Sequence, residues 1–174
     1  VVSGSERLAA RTADDPLTLA GRLALIVPAV LLGGALGFQY WGGLFPCEMC
    51  WWQRYAHIAA LGFAAAALVM PLRSVRLLLV ALAGLGIAAS ALIAGYHAGV
   101  EYHWWQGFTA CTSNVRFGSG DPLAAIMAAP TVRCDEVQWQ LAGVSLAGFN
   151  FLISGLAAAV IFKLLGKAAK ERTA

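Results

Sequence analysis

The stretch LALIVPAVLLGGALGF, Leu23 to Phe38, contains no charged residue and no polar stripe. A helix on the surface of a water-soluble bundle keeps charged or polar residues on the face turned away from the core. This stretch has no such face, and neither does LLLVALAGLGIAASALIAG, Leu77 to Gly95. Working outward from the first stretch, Asp, Glu, Lys and Arg are absent between Arg22 and Glu48, Arg54 and Arg73, Arg76 and Glu101, and Glu136 and Lys163. A helical span needs about 20 apolar residues. All four gaps meet that length, the second being the shortest. The expectation is an all-α membrane protein, a bundle of four transmembrane helices over about 22–42, 49–71, 75–98 and 142–165. Composition agrees, since only 12% of the 174 residues are charged against about 25% in a soluble domain. The first span is too long for the apolar region of a cleaved signal peptide, and PCEMC after it is a poor cleavage site.

Lysine and arginine placement orients the spans. Nine of the twelve fall in the N-terminal arm (Arg7, Arg11, Arg22), the PLRSVR turn (Arg73, Arg76) and the C-terminal stretch (Lys163, Lys167, Lys170, Arg172). The opposite side holds Arg54, Arg116 and Arg133. Both termini and the 71–76 turn are therefore expected in the cytoplasm. The net charge of +3 reflects this topology, and no nucleic-acid patch is present in it. The chain divides into a cytoplasmic arm, 1–15, a membrane domain, 16–166, and a cytoplasmic tail, 167–174. The outer loops are 43–48 and 99–141.

Local signals refine this plan. Asp15 followed by Pro16 reads as a helix start. Pro28 is placed to kink the first helix, and Gly33, Gly34 and Gly37 to allow close helix contact. Trp41, Trp51, Trp52, Tyr55, Tyr102, Trp104, Trp105 and Trp139 fall near the outer boundary as an aromatic belt. DPLAAIMAA, Asp121 to Ala129, reads as a short interfacial helix in the second outer loop.

All four cysteines lie on the outer side, a distribution suited to an oxidising compartment. Cys47 and Cys50 form Cys-x-x-Cys directly after Pro46, at a predicted helix start. A helix N-terminus and a nearby cation both stabilise thiolate. Arg54 and His57 follow on the face of Cys50. Haem attachment would need His where Trp51 stands. A zinc site would need a second close pair, whereas Cys111 and Cys134 are far apart, so no metal is expected. Two structural disulfides are the plain alternative. Against them stands Arg54, because an arginine in a membrane segment is costly and usually functional. A reduced Cys-x-x-Cys also needs an electron acceptor. The chain has no dinucleotide fingerprint, and a lipid-soluble quinone is the acceptor available to a small membrane bundle. Arg54 is suited to hydrogen-bond a quinone carbonyl and to stabilise charge developing on it. Cys111 and Cys134, on the long loop, are placed to pass electrons inward by thiol–disulfide exchange.

PCEMCWWQR, followed by the cysteine pair of C…APTVRCDEVQW before the last span, resembles the DsbB family of bacterial disulfide-generating membrane proteins. GYHAGVEYHWWQG, Gly95 to Gly107, resembles a stretch of some members. The resemblance covers about residues 20 to 165. It implies a thiol oxidase of the bacterial inner membrane with its cysteines in the periplasm. It implies that the enzyme reoxidises a DsbA-like thioredoxin-fold partner and passes the electrons to ubiquinone or menaquinone. It further implies that Cys111 forms the mixed disulfide with the partner, that Cys134 then links to Cys47, and that Cys50 faces the quinone as thiolate beside Arg54. His97 matches a family histidine near the quinone, and His57 is a further candidate for quinone contact. Gln53 stands where many members have an acid. A vitamin K epoxide reductase-like enzyme is the runner-up, although there the Cys-x-x-Cys lies late in the chain.

Overall fold

The computed structural model describes residues 15–107 and 132–171. Helix α1 spans Pro16–Tyr40, α2 Glu48–Val69, α3 Arg73–Glu101 and α4 Leu146–Lys170. Asp15 caps α1 by accepting from the Thr18 backbone N–H at 3.1 Å, with Pro16 in the first turn where its missing N–H costs nothing. The helix continues through Pro28 to Tyr40. Cys47 caps α2, its sulfur accepting from the Cys50 N–H at 3.3 Å. Ser145 caps α4 through Gly148 N–H at 3.1 Å.

Three helices, α1, α3 and α4, are long and apolar enough to cross a membrane. The fourth, α2, carries Glu48, Gln53, Arg54 and His57 in its first half, which dilutes its apolar character. Short connections join α1 to α2 and α2 to α3, and α1 meets α2, α2 meets α3, α3 meets α4, and α4 closes back on α1. Large apolar side chains such as Val30, Leu68, Leu92 and Leu156 point outward. In a lipid-facing bundle these meet acyl chains, and small residues mediate the helix contacts.

Two features differ from expectation. The chain before α4 is not helical. Gln140–Leu141 pairs antiparallel with Val144–Ser145, forming a two-stranded hairpin of β1 and β2. Its turn residues Ala142 and Gly143 have φ of 52° and 80°, the left-handed pair of a type I′ turn. The last helix consequently starts at Leu146 and not at 142. The glycine contacts are also elsewhere. Among the described residues, a Cβ at Gly33 or Gly34 would meet nothing within 4 Å, and one at Gly37 only the Trp41 side chain. Close approach is made instead by Gly86, where a Cβ would lie 3.0 Å from Ala60 Cβ and 3.1 Å from the Ala56 carbonyl oxygen. The interfacial helix expected at Asp121–Ala129, and Cys111, lie outside the described residues.

The interior has two parts. Toward the end carrying the start of α1 and the end of α4, the core is small and aliphatic, with Ala20, Ala24, Ala60, Ala64, Val80, Ala83, Ile87 and Ile161. Toward the other end a second buried cluster contains Cys47, Met49, Val100 and Cys134.

Candidate redox site

Capping by the Cys47 sulfur brings its partner one turn later onto the same side of α2, and the two sulfurs lie 3.0 Å apart with the Cys47 thiol donating to Cys50. Both are free thiols, whereas Cys134 is disulfide-bonded. Cys47 is buried and Cys50 half-buried. The shared proton and burial hold the Cys47 thiol well above the ordinary cysteine range, so the reduced pair titrates as one unit. Cys134 is fully buried in the same cluster as Cys47. The second cysteine loop therefore comes to the Cys-x-x-Cys pair, through Val132 and Cys134.

Behind the dithiol runs a continuous chain of polar side chains, buried except for the half-buried Asn150. His97 Nε2 lies 3.6 Å from Cys47 Sγ and 3.8 Å from Glu101 Oε1. The Cys134 backbone also approaches the His97 ring. His97 Nδ1 meets Gln53 Nε2 at 3.0 Å. The Gln53 carbonyl accepts from Asn150 Nδ2 at 2.8 Å, and Asn150 Nδ2 also donates to Ser90 at 3.1 Å. Asn150 Oδ1 accepts from Ser154 at 2.7 Å and meets His57 Nε2 at 3.1 Å. Asn150 thus joins α2, α3 and α4. On the far side of His97, Ser145 donates to Glu101.

One backbone group fixes the hydrogens along this chain. Gln53 Nε2 sits 3.1 Å from the Met49 carbonyl oxygen, which only accepts. The amide nitrogen must face it, so its second hydrogen points to His97 Nδ1. His97 Nδ1 is then an acceptor, and neutral His97 carries its proton on Nε2, where sulfur and carboxylate stand as acceptors. In the same way Asn150 Oδ1 makes His57 Nε2 a donor. His57 Nδ1 is left as a bare acceptor, buried and without a partner among the described residues. The donor atoms of Cys47, Cys50 and His97 all lie within 4.8 Å of one another, a spacing that a metal ion accepts. Ligation through Nε2 would move the proton to Nδ1, against the Gln53 amide hydrogen, and the arrangement opposes it.

Cys50, Gln53, Arg54, His57 and His97 all line one apolar cavity of ≈ 440 Å³, whose walls include Ala35, Phe38, Phe45 and Ile153. Arg54 is buried, and its guanidinium is tied to α1 by donating to Gln39 Oε1 at 2.5 Å and to the Ala35 carbonyl at 3.1 Å. It also lies 5.2 Å from the Trp51 ring centre. Two of five N–H donors are used in these bonds. Of the residues singled out from sequence, Cys47, Cys50, Arg54, His57, His97 and Cys134 come together here. The exposed His103 stands apart at a positive φ of 59°.

Residues 18–164 match the family described as disulfide bond formation protein DsbB. The chain belongs to the DsbB family. It is 34% identical over 131 residues to disulfide bond formation protein B of Methylococcus capsulatus, which covers 71% of this chain and 79% of that protein. Its identity to the protein of the same name from Aromatoleum aromaticum is 32% over 158 residues, covering 81% and 87%. No solved structure matches it. Membership of the DsbB family, with three helices fit to cross a membrane, makes this a multi-pass membrane protein and a disulfide-generating oxidoreductase.

Sequence reasoning missed Gln53, Ser90, Asn150 and Ser154 as members of the polar chain. Their signal was available, because isolated polar residues within apolar spans mark functional interiors.

Proposed function

We propose that this DsbB-family protein is a thiol:quinone oxidoreductase of the bacterial inner membrane. It reoxidises a DsbA-like periplasmic dithiol oxidase, with ubiquinone or menaquinone as electron acceptor. The observation that carries this reading is the adjacency of the Cys47–Cys50 pair and Arg54 on one apolar cavity. The residues fit a quinone. The walls suit a ring and an isoprenoid tail, Arg54 retains free donors for a carbonyl oxygen, and His57 Nδ1 offers a bare acceptor for a hydroxyl. A bound quinone takes up two electrons and two protons as the dithiol becomes a disulfide. The protein's own part is to hold a thiolate at the cavity wall, keep a guanidinium where negative charge develops, and exclude water.

On the client side, Cys111 receives the attacking thiolate of the partner, and Cys134 is released as a thiol. Cys134 then attacks Cys47, breaking the Cys47–Cys50 bond and freeing Cys50 as thiolate. The partner's second thiol displaces Cys111 and leaves oxidised, and Cys111 retakes Cys134, which releases Cys47 and leaves the Cys47–Cys50 pair as the dithiol that is reoxidised. The burial of Cys134 in one cluster with Cys47 supports this order. Both termini and the 71–76 turn lie in the cytoplasm, α2 serves as the fourth span within a membrane domain of 16–166, and Asp121–Ala129 rests on the membrane surface. His97 acts on the dithiol side of the cavity.

The test is quinone reduction by purified protein supplied with a reduced DsbA-like client. Cys111→Ser is expected to abolish client oxidation while the Cys47–Cys50 pair, reduced chemically, is still reoxidised by quinone. Normal client oxidation by Cys111→Ser would end the relay reading.

A further inference from the structure

Gln53 touches neither sulfur, yet the direction of every hydrogen between the dithiol and His57 passes through it. We propose that Gln53 is a positioning residue that holds His97 in its Nε2–H tautomer, so that His97 faces the Cys47–Cys50 pair as a hydrogen-bond donor and not as a base. This rests on reading Cys47–Cys50 as the redox pair, and it is independent of the nature of the electron acceptor.

The geometry leaves little choice. Gln53 Nε2 has two hydrogens and two acceptors, the Met49 carbonyl at 3.1 Å and His97 Nδ1 at 3.0 Å. Turning the amide over would set oxygen against oxygen at Met49 and nitrogen against nitrogen at Asn150 Nδ2. Each reversal leaves buried groups unpaired, which is strongly unfavourable. With Nδ1 occupied, the imidazole proton sits on Nε2, 3.6 Å from the Cys47 sulfur. A neutral imidazole presenting N–H cannot remove the thiol proton. It can stabilise the anion of the pair, in which one proton is shared between sulfurs 3.0 Å apart. Because the donor is neutral, this support does not depend on His97 being protonated. The groups facing His97 are Glu101 on its own helix, Cys47 from α2 and the Cys134 backbone from the loop before β1. Cys50, Arg54, Arg133 and Glu136 stand further around the same cavity wall.

Two substitutions separate this role from a merely structural one. Gln53→Glu keeps the length and the acceptor for Asn150, and removes the donors to both His97 and the Met49 carbonyl, toward which a protonated carboxyl can still donate. A carboxylate there accepts from His97 Nδ1–H, which moves the proton to Nδ1 or makes the ring an imidazolium. Gln53→Met removes donors and acceptor without adding charge.

The direct measurement is nitrogen NMR of isotope-labelled histidine in the reduced, quinone-free protein. The chain has three histidines, and a His97→Asn sample assigns the signal. Native His97 is expected with Nε2 protonated and Nδ1 bare, and Gln53→Glu with Nδ1 protonated. A second readout is the pH profile of alkylation of the dithiol by a small reagent. Native protein should show a single rise. Gln53→Glu should gain a second inflection as the imidazolium titrates, and Gln53→Met should react about two- to ten-fold more slowly at fixed pH through loss of the directed N–H. Protonated Nδ1 in native protein, or unchanged tautomer and profile in the folded Gln53→Glu variant, would overturn the proposal. Since no quinone is present, neither result bears on the acceptor, and failure of the quinone reading would leave this test standing.

Discussion

The two ends of the bundle use different means to hold the same four helices. The end carrying the start of α1 and the finish of α4 relies on alanine and glycine, with Ala20, Ala60, Ala64, Ala83 and Ile161 closely packed. The cysteine end relies on hydrogen bonds, with Asn150 linking three helices and Gln53 linking two sides of the dithiol site. Small-residue packing is achieved through dispersion and tolerates little added volume. A polar network is directional and fails when one donor is reversed. The comparison teaches that stability and chemistry are largely separate here, so substitutions at the two ends should report differently.

The sharpest separation is expected from Cys50→Ser. Oxidation of the pair by any acceptor should cease entirely, because the disulfide can no longer form. Thermal stability of the reduced protein should stay near native, since serine retains a hydroxyl acceptor for the Cys47 thiol. Steady turnover assays paired with melting curves check both halves. A large loss of stability would show that the cysteine end also carries the fold.

Next in size is Arg54→Lys. The guanidinium is a planar donor that already spends two N–H groups on Gln39 and Ala35, a geometry lysine cannot copy. Loss of a charge-assisted bond to developing charge costs about 1.5–3 kcal/mol, or roughly 10- to 150-fold in quinone-dependent rate or apparent quinone affinity. Single-turnover oxidation of client by pre-oxidised protein should remain normal. Unchanged quinone kinetics in a correctly inserted variant would reduce Arg54 to a strut between α1 and α2.

The small-residue packing midway along α2 and α3 should behave in the opposite way. Gly86→Leu drives a side chain into Ala60 and the Ala56 carbonyl, and is expected to destabilise the bundle by about 1–3 kcal/mol. Activity per folded molecule should be retained. If folded Gly86→Leu loses its quinone-dependent rate, the ends are coupled through α2, and the separation drawn above is too simple.

These contrasts also show what a sequence can carry. Charge-free runs and the Pro46–Cys47 helix start were legible because span length and capping are local properties. Arg54 and His57 were legible because they repeat at helical spacing from Cys50. The direction of the Gln53 amide was not, since it depends on His97 and Asn150, which are brought in from other helices. The hairpin before α4 was missed because Leu141-Ala142-Gly143-Val144 is apolar and reads as helix, and its turn places Ala142, not an Asn or Gly, at positive φ. Packing glycines were sought in α1 from their spacing, whereas contact depends on which face of which helix meets a neighbour.

The smallest effect concerns the loop that brings Cys134 to the dithiol. Arg133 holds Asp135 through paired bonds, Nε to Oδ1 at 2.9 Å and Nη2 to Oδ2 at 2.6 Å, with Glu136 at 3.3 Å. The Arg133 hydrogen bonds keep the Asp135 carboxyl below the usual carboxylate range. A group whose folded pKa is depressed contributes stability that is present above its unfolded pKa and is lost as pH falls through the folded value. The pair is partly open to solvent, so screening keeps its contribution small. Its reach is local, because Asp135 adjoins Cys134 and the pair stiffens the backbone on either side of a buried sulfur. Hydrogen exchange at residues 133–136 should therefore show protection at neutral pH that fades only below the ordinary carboxylate range. Asp135→Asn should lack that increment at every pH, with melting of the helices unchanged. Added salt should reduce the native protection and leave the variant unmoved. Equal protection in Asp135→Asn and native protein at neutral pH would mean that burial of Cys134 alone orders this loop, and that the polar character of the cysteine end stops at the wall of the cavity.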